Sequence, residues 1–140
     1  MRRDFSRLEI LDALKKEGFR ITRQRKAIVD YLAGKMDHPS PRQIYDAVRY
    51  HEPGISLATV YNTLMILHRL RLVQEIQFEH ASNRYDTNIS PHINLICTNC
   101  GRIRDLEYNF PIDPAEIRSK CGFETRDYRL EYHGICSHCR

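Results

Sequence analysis

The sequence predicts an α+β chain: an N-terminal winged-helix DNA-binding domain followed by a smaller C-terminal α/β unit with a four-cysteine zinc site. Three observations carry that reading. Cys97-Thr-Asn-Cys100 and Cys136-Ser-His-Cys139 form two C-x-x-C pairs far apart in the chain. Ahead of them lie four amphipathic stretches, each opened by a capping residue or closed by glycine. Between the last of these and the first cysteine pair, Val73 to Asp86 reads as two short alternating strands.

The cysteines come first because they limit the rest. A C-x-x-C sets two sulfurs on one tight turn, and two such turns supply the four thiolates of a structural Zn²⁺ site. Gly101 follows the first pair, where a knuckle needs a positive φ. Two disulfides or a redox dithiol are the other readings of such pairs. Nothing in the chain looks secreted, and a redox pair needs only one C-x-x-C, so zinc is expected. The fifth cysteine, Cys121, is expected as a small buried residue on a helix.

A length of 140 residues suits one or two small domains. A unit of about 60 residues buries only about 60% of its unfolded surface, so a metal clip on the shorter half makes physical sense. The formal charge of +4 and a pI near 8.9 are mildly basic, which permits nucleic-acid binding without requiring it. The opening Met-Arg-Arg-Asp-Phe has no signal-peptide run, and no segment is apolar enough to span a bilayer. Cysteines in metal spacing then point to the reducing cytoplasm.

In chain order, residues 4–17 carry Phe5, Leu8, Leu11 and Leu14 as an apolar helical stripe, stopped by Gly18. Thr22 caps a second helix with Ile28, Val29 and Leu32 inward and Gly34 as its stop. Arg20, Arg23, Arg25 and Lys26 cluster at its start, as a solvated basic face or a phosphate-binding one. Ser40-Pro41-Arg42-Gln43 is a capping box with proline in the first turn, opening a helix that buries Ile44, Ala47 and Val48. Ser56 caps a fourth helix with Val60, Leu64 and Leu67 on one face. Its first turns carry Thr59, Tyr61, Asn62 and Thr63, side chains suited to base edges and phosphates. Three helices, then a helix and a hairpin, is the order of a winged helix, whose last helix enters the major groove. A helical domain that binds protein is the competing reading. The basic cluster, the lightly charged helix face and the wing together favour DNA.

A composition shift between Asp86 and Pro91 divides the chain into 1–85 and 86–140. Beyond it, Ile93, Leu95 and Ile96 lead a strand into the first knuckle, and Arg102 to Leu106 leads one out. Asp113-Pro114 opens a helix that Gly122 ends. Phe123 to His133 reads as a long final strand into the second knuckle.

Several of these residues together resemble the ferric uptake regulator family. They are Gly18-Phe-Arg-Ile-Thr-Arg-Gln-Arg25, His38-Pro-Ser40, Ala58-Thr-Val-Tyr-Asn-Thr-Leu64 and the paired C-x-x-C. The resemblance covers essentially the whole chain in order. It implies a metal-responsive, homodimeric transcriptional regulator, most like the peroxide-sensing branch. Such a regulator has a winged helix, a C-terminal α/β dimerisation domain, and an inverted-repeat double-stranded DNA operator as its partner. It also implies a second, regulatory metal, Fe²⁺ or Mn²⁺. The ligands carried over are His38, Asp86, His92 and Asp105, with Asn94 standing where the family has the second histidine of H-x-H. An aspartate at Asp105 resembles the peroxide-sensing branch, in which His38 and His92 match the oxidisable ligands. The neutral amide at Asn94 is a weaker donor than imidazole and keeps open an iron- or zinc-responsive uptake repressor that reads metal concentration only. The resemblance implies a regulator and not an enzyme. His51, His68, His80, His133 and His138 are expected on the surface or in packing. A thiol redox enzyme and a zinc-bearing protein-interaction module are the readings from other classes.

Overall fold

The structure, a computed structural model, describes residues 4–35, 37–109, 112–126 and 128–140. It divides into two compact units, one ending at Ser90 and one beginning at Pro91, so Asp86 goes with the first.

The helices of the first unit start where side chains can satisfy their orphan N–H groups. Helix α1 (Arg7–Lys16) opens on Ser6, whose hydroxyl accepts from Glu9 N–H while the Glu9 carboxylate accepts from Ser6 N–H. Thr22 accepts from Arg25 N–H at 3.1 Å to cap α2 (Arg23–Leu32). Ser40 and Gln43 form the expected capping box of α3 (Pro41–Val48), with Pro41 in the first turn. Ser56 accepts from Thr59 N–H to cap α4 (Leu57–Arg69). Ile10, Leu11, Leu14, Ile28, Val29, Leu32, Ile44, Val60, Leu64 and Leu67 then close one apolar core.

The inward face of α1 differs from the expected stripe. Leu8 is 65% exposed, while Ile10 is buried with Leu11 and Leu14. A helix turns about 100° per residue, so a strict step of three drifts across the face, and the inward arc falls on 10, 11 and 14.

Strands β1 (Gln74–Ile76) and β2 (Arg84–Asp86) pair antiparallel, Gln74 opposite Asp86 and Ile76 opposite Arg84. The hairpin is shorter than its alternation suggests. Beyond Ile76 the ladder gives way to a side chain: Asn83 accepts from Phe78 N–H at 3.3 Å and donates to Glu75.

In the second unit, β3 (Ile93–Cys97) lies between β4 (Ile103–Leu106), antiparallel to it, and β5 (Glu131–Gly134), parallel to it. Helix α5 (Pro114–Cys121) sits in the crossover, capped by Asp113 and ended by Gly122 at φ 70°. The long final strand expected from Phe123 is not formed. Only residues 131–134 are strand, because β3 offers β5 just the positions Asn94 to Cys97 as partners. Cys121 is exposed, and α5 buries no described side chain, against the expectation of a packed thiol. Among the described residues no helix is long and apolar enough to cross a membrane.

The Leu64→Ala substitution removes a fully buried side chain. It should cost about 2–5 kcal/mol of unfolding free energy, whereas Leu8→Ala should stay within about 0.5 kcal/mol of wild type. Denaturant melts of both variants check this, and equal losses would mean that α1 packs by its other face.

Candidate metal centres and nucleic-acid face

Parallel pairing of β3 with β5 brings the ends of both strands to one edge, and each end runs into a C-x-x-C. Cys97 is the last residue of β3 and lies opposite Gly134, two residues before Cys136. The first knuckle closes with Gly101 N–H on the Cys97 carbonyl at 2.9 Å and Gly101 at φ 72°. The second closes with Cys139 N–H on the Cys136 carbonyl at 3.0 Å.

The sulfurs of Cys97, Cys100, Cys136 and Cys139 all lie within 4.8 Å of one another, and Cys100 Sγ is 3.8 Å from Cys136 Sγ. Tetrahedral Zn–S bonds of about 2.3 Å require sulfurs about 3.8 Å apart, so the four residues fit a structural Zn²⁺. Cys136 N–H points at Cys97 Sγ at 3.3 Å. Backbone N–H groups, those of Cys100 and Cys136 foremost, pull the Cys97 thiol down to about 6, toward the thiolate that a metal needs. Cys139 moves the other way, to about 11. Asn99 alone would lower it, but the sulfurs of Cys136, Cys100 and Cys97 together raise it. Four close sulfurs cannot all ionise without a cation among them, and that opposition is what a dication relieves.

The expected regulatory ligands fall into two groups, one in each unit. In the first unit, His38 Nε2 lies 3.5 Å from Asp86 Oδ2, and both side chains are 2% exposed. His38 has φ 49°, a left-handed conformation costing about 1–3 kcal/mol in a residue other than glycine unless its surroundings hold it. Strand β2 supplies that hold. Arg84 donates through Nε to the His38 carbonyl and through Nη2 to the Asp37 carbonyl at 3.3 Å. Tyr85 N–H donates to the Pro39 carbonyl at 3.0 Å, and Thr87 Oγ1 to the Lys35 carbonyl at 2.8 Å. Burial lowers the Arg84 pKa from its ordinary value, and the Asp37 charge only partly offsets this.

In the second unit, sheet register does the work. His92 immediately precedes β3, two residues before Asn94, and Asn94 is directly opposite Asp105 on β4. His92 Nε2 is 3.2 Å from Asn94 Oδ1 and 3.7 Å from Asp105 Oδ1. Adjacent ligands on an ion with bonds of about 2.1 Å stand about 3.0–3.5 Å apart; the His38–Asp86 and His92–Asn94 separations fall within that range, and His92–Asp105 lies just beyond it.

On α4, Tyr61 and Asn62 are exposed, as expected of a reading face, with Tyr61 at 49%. Thr59 is half-buried, its hydroxyl 2.9 Å from Ser56 Oγ within the cap. Thr63 corrects the expectation: it is fully buried, one residue from Leu64 and on the inward arc with Val60 and Leu67, so it cannot reach a groove. Ala58 and Met65 share the exposed face instead. Their spacing from Tyr61 and Asn62, three or four residues either way, was the signal for them. Arg20 and Arg23 are exposed, Arg23 reaching Glu52 at 3.3 Å, while Arg25 stacks over Phe19 and donates to the Arg20 carbonyl. His51, His68, His80, His133 and His138 are all exposed.

A winged helix joined to a sheet with a four-thiolate knuckle pair defines a class of zinc-stapled helix–turn–wing proteins. Within it, this chain belongs to the ferric uptake regulator family, whose sequence pattern, described as "Ferric uptake regulator family", matches residues 16–133. It is 40% identical over 132 residues to the peroxide operon regulator of Bacillus subtilis, covering 94% of this chain and 91% of that one. It is 36% identical over 134 residues to the peroxide-responsive repressor PerR of Staphylococcus epidermidis, covering 94% and 89%. Among solved structures it is similar to the Campylobacter jejuni peroxide stress regulator. The TM-score there is 0.70 at 30% identity, over 94% of this chain and 99% of that one.

Thiol titration of zinc-loaded protein should find Cys121 reactive and the other four cysteines protected until a zinc chelator is added. Five reactive thiols without chelator would sink the zinc site.

Proposed function

We propose that the chain is a metal-dependent, DNA-binding transcriptional repressor that senses peroxide through oxidation of a histidine ligand. The observation that carries this is the pair of oxygen-rich donor groups, each built on one buried imidazole: His38 with buried Asp86, and His92 with buried Asn94 and half-buried Asp105. In this reading His38, Asp86, His92, Asn94 and Asp105 are the ligands for regulatory Fe²⁺ or Mn²⁺, with the unit that ends at Ser90 as the DNA-binding half and the unit that begins at Pro91 as the dimerisation half. The names of the relatives support the peroxide branch over a sensor of metal concentration alone.

Fe²⁺ held there supplies the one-electron chemistry that turns peroxide into an oxidant of nearby groups. The chain's own contribution is placement, since His38 and His92 are the two oxidisable ligands and each lies beside an aspartate. Carboxylates keep the ion's positive charge satisfied while leaving it few nitrogen donors, so loss of one imidazole is costly. A difference of about 2–3 kcal/mol in metal affinity between two arrangements of the chain changes DNA affinity about 30- to 150-fold.

On DNA, Tyr61 packs against thymine methyls and Asn62 meets base edges, with Thr59 near the phosphates at the helix start. Arg20, Arg23 and Arg25 hold the backbone. In the second unit Leu106, Tyr108, Phe123, Tyr132 and Ile135 are large apolar side chains exposed on a single chain. A second copy covers them, and the resulting two-fold symmetry calls for an inverted-repeat operator in the cytoplasm.

After anaerobic loading with Fe²⁺ and a pulse of peroxide, the peptide holding His38 or His92 should gain one oxygen by mass spectrometry, and DNA should be released. No added oxygen on either peptide would end the sensing half of this reading. Arg23→Ala should weaken binding to every sequence and flatten the salt slope by about 0.9 per lost phosphate contact. A change in sequence preference instead would make Arg23 a base reader.

A further inference from the structure

His38 is buried, sits in the left-handed region, and is the donor that the connection between α2 and α3 contributes beside the Asp86 carboxylate. A histidine carries a β-carbon, and at φ 49° that conformation persists only where neighbours over-determine it. The neighbours lie far along the sequence, on β2. Two consecutive carbonyls, of Asp37 and His38, meet one guanidinium, that of Arg84.

We propose that Arg84 is a positioning residue for the regulatory site: its fork grips the carbonyls of Asp37 and His38 and holds the His38 imidazole beside Asp86. The proposal rests on the reading of His38 and Asp86 as metal ligands. A planar fork with several N–H donors can address two adjacent carbonyls at once, which a lysine ammonium, a compact charge on a flexible stem, does less well. Tyr85 N–H on the Pro39 carbonyl repeats the attachment one residue on. Strand β2 thus carries the clamp at Arg84 and a ligand at Asp86, two residues apart and on the same face. Arg84 is also the cross-strand partner of Ile76 in the wing. The position of His38 and the seating of the wing hairpin are set by one strand.

The test uses full-length, zinc-loaded protein and Mn²⁺, which does not consume its own ligands, with free Mn²⁺ followed by its paramagnetic resonance signal. The variants are Arg84→Ala, Arg84→Lys, His38→Ala, Asp86→Ala and the double His38→Ala/Arg84→Ala, with zinc content and thermal melting as folding controls. Arg84→Ala should weaken Mn²⁺ binding by about 10- to 100-fold, the usual effect of losing a group that orients a ligand. Arg84→Lys should recover part of the loss. On the His38→Ala background, Arg84→Ala should add nothing further, because it acts through that imidazole. A loss of the same size on both backgrounds, or wild-type affinity in Arg84→Ala, overturns the proposal. Should Arg84→Ala fail to fold, Arg84→Lys and the double His38→Ala/Arg84→Lys decide: weaker Mn²⁺ binding in Arg84→Lys, with no further loss when it is added to His38→Ala, supports the clamp, and unchanged affinity overturns it. Wild-type Mn²⁺ binding in both His38→Ala and Asp86→Ala would instead overturn the metal-site reading, and the clamp with it.

Discussion

The parallel pairing of β3 with β5 is the constraint on which the second unit depends. A parallel neighbour cannot be reached by a tight turn, so the chain must leave β3, make β4 and α5, and return in the same direction. That detour is long for a sheet joined to its last strand by four residue pairs. The return delivers two C-x-x-C turns to one edge, where four thiolates meet. The described apolar residues that this unit buries are few, chiefly Ile93 and Ile96, and α5 buries none. Metal ligation is the term large enough to hold such a unit, because the free energy of binding zinc appears directly as free energy of folding.

The same sheet shows how one register serves two purposes. Position 97 ends β3 as a zinc ligand, while position 92, immediately before β3, and position 94, the partner of Asp105, bring an imidazole, an amide and a carboxylate together. A slip of one residue would turn every one of these to the opposite face. The zinc knuckles pin the ends of β3 and β5, and through them the register on which the second donor group relies. The first cysteine pair and two members of the second donor group, His92 and Asn94, therefore lie on one continuous run of chain, residues 92–100.

What was legible in the sequence was what is local. Thr22, Ser40 and Ser56 cap their helices because a hydroxyl and an N–H three residues on decide the matter without reference to the rest of the chain. The C-x-x-C pairs were legible for the same reason. The misreadings all concern surfaces that tertiary packing assigns. Leu8 and Ile10 are equally apolar, and only the partner helix chooses between them. Thr63 is polar by composition yet lies on the buried arc of α4. The alternation after Phe123 is real, but a strand extends no further than its neighbour. Arg84 reads as an ordinary strand residue, since the carbonyls it holds lie more than forty positions away.

In the proposed site the departure at Asn94 sharpens the dependence on the remaining imidazoles. A set of His38, Asp86, His92, Asn94 and Asp105 has two nitrogen donors among oxygens, and hard, oxygen-tolerant ions lose least from that balance. Softer ions gain most of their affinity from nitrogen, so the exchange of an imidazole for an amide costs them more. The exchange thus narrows the advantage that Zn²⁺ holds over Mn²⁺ and Fe²⁺ at such a set. With only two imidazoles, oxidation of either removes half of the nitrogen ligation. For His38 the consequence is also mechanical, because that residue is tied through Arg84 to the strand that forms the wing. Under the proposed clamp, the backbone that carries this ring and the wing hairpin share one strand, β2.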